Sequence, residues 1–221
     1  MKTQFRDRSE AGEFLAEQLT AYANRPNVIV LALPRGGVPV GAQVAKKLDA
    51  PLDVFVVRKL GLPGHPELAM GAIATGGVRV LNGDVVDSLR ISDEVIEAVT
   101  ANEQRELARR ERSYRDDLPP PEVEGKIVII VDDGIATGST MVAAVAALRQ
   151  LGAGRIVVAA PTIARSTYDY LQTMADDVIA VIVPEEFYGV GQWYEDFSQT
   201  TDEEVQQLLG ETNHRVAPAA A

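Results

Sequence analysis

Asp132 and Asp133 stand side by side at the end of an apolar run, and a turn of small and hydroxylated residues, Gly134 to Thr140 (GIATGST), follows them. Two adjacent carboxylates can accept hydrogen bonds from a diol or offer oxygen to a hard divalent cation. Gly134 and Gly138 permit tight backbone geometry. Ala136, Thr137, Gly138, Ser139 and Thr140 would then present N–H groups and hydroxyls to an anion where a helix begins. Carboxylates repel a phosphate unless hydroxyl donors or a divalent cation intervene, so the ligand should carry both a phosphate and a diol, with magnesium as the suited cation. The plainer alternative is an N-capping turn whose aspartates satisfy backbone donors. That alternative does not require both acids and every small or hydroxylated residue at once. A nucleotide P-loop would need a lysine that GIATGST lacks.

Three further groups of residues can carry chemistry. Pro34-Arg35-Gly36-Gly37 follows another apolar run; its glycines expose N–H groups, and Arg35 offers a fork matched to phosphate oxygens. Taken alone, it reads equally as a glycine-rich turn with a solvated arginine. Arg58-Lys59 precedes Leu60 to Leu68 (LGLPGHPEL), which reads as a mobile loop. The basic pair either neutralises an anion or faces water, and the same choice between proton transfer and solvation applies to His65 and Glu67. Phe187, Tyr188, Trp193, Tyr194 and Phe197 crowd into the segment after the last apolar run. They read as a hood stacking on a flat ring, or as packing against a sheet edge.

The elements that must position these residues are legible as periodicities. Val28 to Leu33, Leu52 to Val57, Ile127 to Val131, Arg155 to Ala160 and Val178 to Val183 are mostly continuous apolar runs, separated in several places by helical patterns. This predicts an α/β fold with a mostly parallel five-stranded sheet and helices on both faces. Met141, Val142, Val145, Leu148 and Leu151 recur at helical spacing, and Gly152 is placed to end that helix. Ser9 is the expected cap of an N-terminal helix ending before Pro26. Between the second and third strands, Gly71 to Leu81 predicts a hairpin, and Ser92 to about Asp116 a charged helix stopped by Pro119-Pro120-Pro121. Its arginines 105, 109, 110 and 112 should pair with Glu103, Glu106 and Glu111. Thr201 to Leu209 predicts a short helix with a Thr201/Glu204 capping box. We expect a single domain over 1–221: core about 28–183, insertion about 60–122, hood about 184–210, and a disordered tail about 213–221.

Composition narrows the function classes. At 221 residues, with 46% apolar and 24% charged content, the chain can bury a sizeable core. A net charge of −11 lacks the basic footprint of a general nucleic-acid binder. The chain has no cysteine and hence no thiol chemistry. No apolar stretch approaches the roughly 18 residues of a membrane span. No membrane partner and a cytoplasmic location are expected.

The segment VIIVDDGIATGST resembles the phosphoribosyl-diphosphate (PRPP) motif of type I phosphoribosyltransferases, and the resemblance in strand order and loops reaches from about Val28 to about Val183. It implies that Asp132 and Asp133 hold the ribose hydroxyls and the magnesium, and that Ala136 to Thr140 bind the 5-phosphate. It assigns Arg35, Gly36 and Gly37 to the diphosphate, and implies that Arg58 and Lys59 neutralise the leaving diphosphate beneath a closing loop. YGVGQWYEDF loosely resembles the hood of 6-oxopurine enzymes, with Trp193 against the base. One departure matters: those enzymes carry an aspartate where this chain has Ala136, which puts oxopurine specificity in doubt. The implied function is transfer of 5-phosphoribosyl from PRPP to a nitrogenous base by a homodimeric enzyme of nucleotide salvage. A PRPP-sensing regulator without turnover is the rival, and transfer to an unusual heterocycle or amine is a third reading.

Overall fold

A computed structural model describes residues 4–115 and 118–216. Along the chain these residues form α1 (Arg8–Gln18), β1 (Val28–Ala32), α2 (Gly37–Leu48), β2 (Leu52–Val54), β3 (Val57–Leu62), β4 (His65–Ala74), β5 (Val78–Leu81), α3 (Gly83–Leu89), α4 (Asp93–Arg115), β6 (Ile127–Val131), α5 (Ser139–Gln150), β7 (Arg155–Thr162), α6 (Arg165–Leu171), β8 (Asp177–Ile182) and α7 (Asp202–Val216). One sheet has the order β2-β1-β6-β7-β8 and every pairing in it is parallel. The five apolar runs thus form the α/β sheet expected from the sequence. β6 lies at its centre, in register with β1 through Val30↔Ile129 and with β7 through Ile129↔Val157.

The lack of polar alternation in these strands follows from burial on both faces. Val30, Ile129, Val131 and Val157 pack on one side with Leu15 of α1 and Val40, Val44 and Leu48 of α2. Leu31, Val128, Ile130 and Val158 pack on the other with Met141, Val145 and Leu148 of α5. Gly152 ends α5 in the left-handed region, at φ +78°. Its N–H donates to the Arg149 carbonyl and that of Ala153 to the Leu148 carbonyl, at 3.1 Å each, which is a Schellman closure.

The structure departs from the sequence reading in four places. Asp7, not Ser9, caps α1, accepting the Glu10 N–H at 2.8 Å. The second parallel strand stops at Val54. Phe55 donates to the Ala32 carbonyl and Val56 to the Thr75 hydroxyl, both at 2.9 Å, and the chain then leaves for a second sheet. That sheet, β3-β4-β5, is antiparallel. The predicted hairpin is β4-β5, but the predicted loop Leu60 to Leu68 is itself largely the β3-β4 hairpin, with a register shift near Gly61. Finally, α7 runs to Val216 rather than Leu209. Its Thr201 hydroxyl does accept the Glu204 N–H, at 3.1 Å. Of the tail expected from about 213, residues 217–221 lie outside the described residues.

The insertion helix α4 buries Ile96, Leu107 and Tyr114 in the core and also reaches the main sheet by charge. Glu106 takes both Arg109 and Arg110, at 2.8 and 2.9 Å. Arg115, whose side chain is only 5% exposed, reaches Asp53 of β2 at 3.3 Å and Glu111 at 3.5 Å. Burial holds the Asp53 carboxyl above its ordinary range, and Arg115 opposes the shift. Arg115→Ala leaves that carboxyl buried without its cation, which should cost about 3–5 kcal/mol at neutral pH. The variant raises the folded-state pKa further above the unfolded value, so stability is retained at low pH and lost as pH rises through the folded pKa. Urea unfolding should therefore show a smaller penalty below about pH 4 than at neutrality.

Candidate functional site

The carboxyl end of β6 carries the two acids. The Asp132 N–H donates to the Ala159 carbonyl of β7 at 3.3 Å, and the Asp133 N–H folds back onto Asp132 Oδ1 at 2.9 Å. Burial, and then the neighbouring charge of Asp133, push the Asp132 carboxyl well above its usual range. Beyond the acids, Ile135 bridges to β7, donating to the Thr162 carbonyl at 2.9 Å and accepting from Ala164 at 3.0 Å. The Thr167 hydroxyl donates to the Ala136 carbonyl at 2.5 Å. Gly138 caps α5 at φ +73°, a conformation that favours glycine. With the loop pinned this way, the N–H groups of residues 136–140 have no protein partner among the described residues. Exposed Thr137, Ser139 and Thr140 add hydroxyls. Open N–H groups and hydroxyls at a helix N-terminus are the donors an anion would require.

The loop after β1 presses against the acids. Leu33 donates to the Val131 carbonyl at 2.8 Å, so the chain leaves β1 directly beside the acids, and a cis peptide joins Pro34 to Arg35. A Cβ on Gly36 would run into the Asp133 carboxylate. A Cβ on Gly37 would lie 2.7 Å from the Val131 carbonyl oxygen and 3.1 Å from Asp132 Cα. Only glycine allows this approach. Arg35 remains one-third exposed, 3.6 Å from Asp202 of α7.

Arg58 and Lys59 lie on β3 of the antiparallel sheet, not at the end of a parallel strand. Arg58 is occupied by Glu103 of α4, with contacts of 2.6 and 2.9 Å, whereas Lys59 is exposed. His65 opens β4 and is exposed. The side chain of Glu67 lies outside the described ones.

The aromatic segment docks on the N-terminus. Phe5 donates to the Trp193 carbonyl at 2.8 Å and accepts from Glu195 at 2.8 Å, and its ring lies 5.7 Å from that of Tyr194. Trp193 is half-buried against Phe187 at 6.1 Å, with its indole N–H buried and without a hydrogen-bond partner among the described residues. Tyr188 is 85% exposed. The Tyr194 hydroxyl donates to the Asp133 carbonyl at 2.5 Å, and burial pushes its pKa up.

Arg8 is the site residue that sequence reasoning missed. Its Nε meets Asp133 Oδ2 at 2.8 Å, with both side chains nearly buried. A lone arginine in a polar N-terminal stretch has no local pattern to announce it, and its partner lies 125 positions away.

The donor set suits magnesium only as a minority ligand. Among the described residues no group of three or more acidic or histidine side chains could hold a metal. Asp133 is paired with Arg8, and Asp132 has no ion pair among the described residues. The chain can offer carboxylate oxygen, with ligand and water completing the shell, the usual arrangement for magnesium beside phosphates.

A family model described as "Phosphoribosyl transferase domain" matches residues 3–191. Proteins named "Putative phosphoribosyl transferase" from two strains of Mycobacterium tuberculosis are 45% identical over 217 residues, 98% of this chain. The chain spans about half the length of these relatives, 49%. The crystal structure of TT1426 from Thermus thermophilus is 42% identical, with a TM-score of 0.83 over 94% of this chain and 98% of that one.

Two substitutions test the packing around the acids. Gly37→Ala forces a methyl into a backbone carbonyl that cannot step aside, and should cost about 1–3 kcal/mol in chemical denaturation. Tyr194→Phe leaves the buried Asp133 carbonyl without its donor, and should also cost about 1–3 kcal/mol.

Proposed function

The chain belongs to the phosphoribosyl transferase domain family, and from that premise we propose a magnesium-dependent transferase that moves 5-phosphoribosyl from PRPP to a nitrogenous base and releases diphosphate. One observation supports this reading: the loop carrying Arg35 and the open N–H groups of residues 136–140 meet at one carboxylate pair. A ribose with phosphate at one end and diphosphate at the other has that charge pattern. Asp132 and Asp133 accept the ribose hydroxyls, and Ala136 to Thr140 donate to the 5-phosphate. Arg35, with the Gly36 N–H, takes the diphosphate, while Gly37, whose own N–H donates to the Leu33 carbonyl at 3.0 Å, lets the loop reach the acids. When bound, magnesium would neutralise diphosphate oxygens. The anomeric carbon gains oxocarbenium-like charge as the diphosphate departs, so rate depends on positioning, leaving-group neutralisation and exclusion of water.

Arg58 and Lys59 are the remaining cations for the leaving group. Arg58 must exchange Glu103 for diphosphate to serve. A ring nitrogen is the expected acceptor, with Trp193 or the exposed Tyr188 against its face. Ala136 argues for a base that needs no carboxylate at that position. A homodimer acting in nucleotide salvage in the cytoplasm completes the proposal. Among the described residues, no helix is long and apolar enough to cross a membrane.

The Arg58–Glu103 pair also favours a second reading, a PRPP-binding regulator without turnover, because a permanently occupied Arg58 would leave the leaving group less neutralised. Diphosphate release from PRPP and magnesium across a panel of bases separates the two. The transferase should lose about 10²-fold in kcat in Arg58→Ala and should lose PRPP binding in Asp132→Asn. Calorimetric binding of PRPP with no release on any base would establish the regulator instead.

A further inference from the structure

Of the two acids, only Asp133 has an ion pair among the described residues. Arg8 is the first residue of α1, and the Asp7 cap holds its backbone. Its Nε donates to Asp133 Oδ2 at 2.8 Å and its Nη1 to the Ser198 carbonyl at 2.6 Å. Its guanidinium carbon lies 4.0 Å from the centre of the Phe197 ring and 5.9 Å from that of Tyr194. The pair is 11% and 13% exposed. Gly36 closes a further side of the same carboxylate so tightly that it has no space for a Cβ. A cation held by an ion pair, a carbonyl and an aromatic face is preorganised and costly to displace. Asp132 has no ion pair among the described residues, although the Arg8 charge also acts on it; its Oδ1 accepts the Asp133 N–H.

We propose that Arg8 is a built-in counter-cation that occupies the place of a divalent ion at Asp133, leaving Asp132 as the single carboxylate of the site open to a metal. Arg8 is thus a positioning residue. It commits one acid to joining the N-terminal helix to the site. The free protein should therefore hold divalent cations weakly, and a cation should gain affinity when Arg8 loses its charge. This inference rests on reading the acid pair as the ribose end of the site.

Manganese(II) in the absence of PRPP is the probe, followed by loss of its free EPR signal. Arg8→Gln should bind Mn2+ roughly tenfold more tightly than the unaltered protein, as expected when a cation beside the ion is removed. Arg8→Lys, still cationic, should show no such gain, and the double variant Arg8→Gln/Asp133→Asn should lose it. Unchanged affinity in folded Arg8→Gln protein, or a gain that survives in the double variant, overturns the proposal. Should Arg8→Gln fail to fold, the unaltered protein carries the test. The NMR signal of the Arg8 Nε–H should persist unshifted through a magnesium chloride titration, and its displacement overturns the proposal. PRPP calorimetry on the unaltered protein judges the site reading separately: no PRPP binding with the Mn2+ pattern intact sinks that reading and leaves the counter-cation standing.

Discussion

A carboxylate taken out of water must be neutralised or protonated, and Asp133, 9% exposed, is neutralised by Arg8. That requirement joins parts of the chain with little else in common. The N-terminal helix supplies the cation, and the aromatic segment after β8 supplies Phe197 and the Ser198 carbonyl that hold it. The Tyr194 hydroxyl secures the Asp133 carbonyl, while Gly36 packs on the carboxylate from the loop after β1. Four segments therefore meet at one residue, and the relative placement of the two loops depends on their meeting there.

The parallel sheet makes this convergence possible. β1 and β6 are neighbours in register, so the loops that leave their carboxyl ends emerge side by side. Glycine at positions 36 and 37 lets those loops touch. The cradle at residues 136–140 is open because its neighbours are occupied: Ile135 bonds to β7 and the Ala136 carbonyl takes the Thr167 hydroxyl. The antiparallel sheet packs into both core clusters, through Leu60, Met70 and Ile73 on one side and Ala74 on the other, and it carries Arg58 already paired to Glu103. Charge proposed for the leaving-group end is thus stored in an ion pair that belongs to the insertion.

Much of the fold was legible because its signals are local. A continuous apolar run means a strand buried on both faces, and the core clusters divide β6 residue by residue between the two faces. Gly152 and Thr201 announce helix ends within one turn of the bonds they make. The cradle at residues 136–140 was readable for the same reason, since its donors are consecutive. β3 was not readable. VRKLGL, followed by Pro63-Gly64, has no apolar period of its own, and its strand character comes from pairing with β4.

By itself the sequence determined the βα unit that carries both acids and the phosphate cradle, because each part depends on residues within a dozen positions of one another. It also marked Arg35-Gly36-Gly37 as a candidate anion loop, on equal terms with a glycine-rich turn. Only the tertiary structure decided that the two loops touch, that Arg58 rests on Glu103, and that Trp193 and Tyr194 dock on the N-terminal segment. It alone decided that Asp133 is held by Arg8 while Asp132 is not. The reason is physical: an arginine that binds a buried acid 125 positions away has the same chemistry as one that faces water, and only burial distinguishes them.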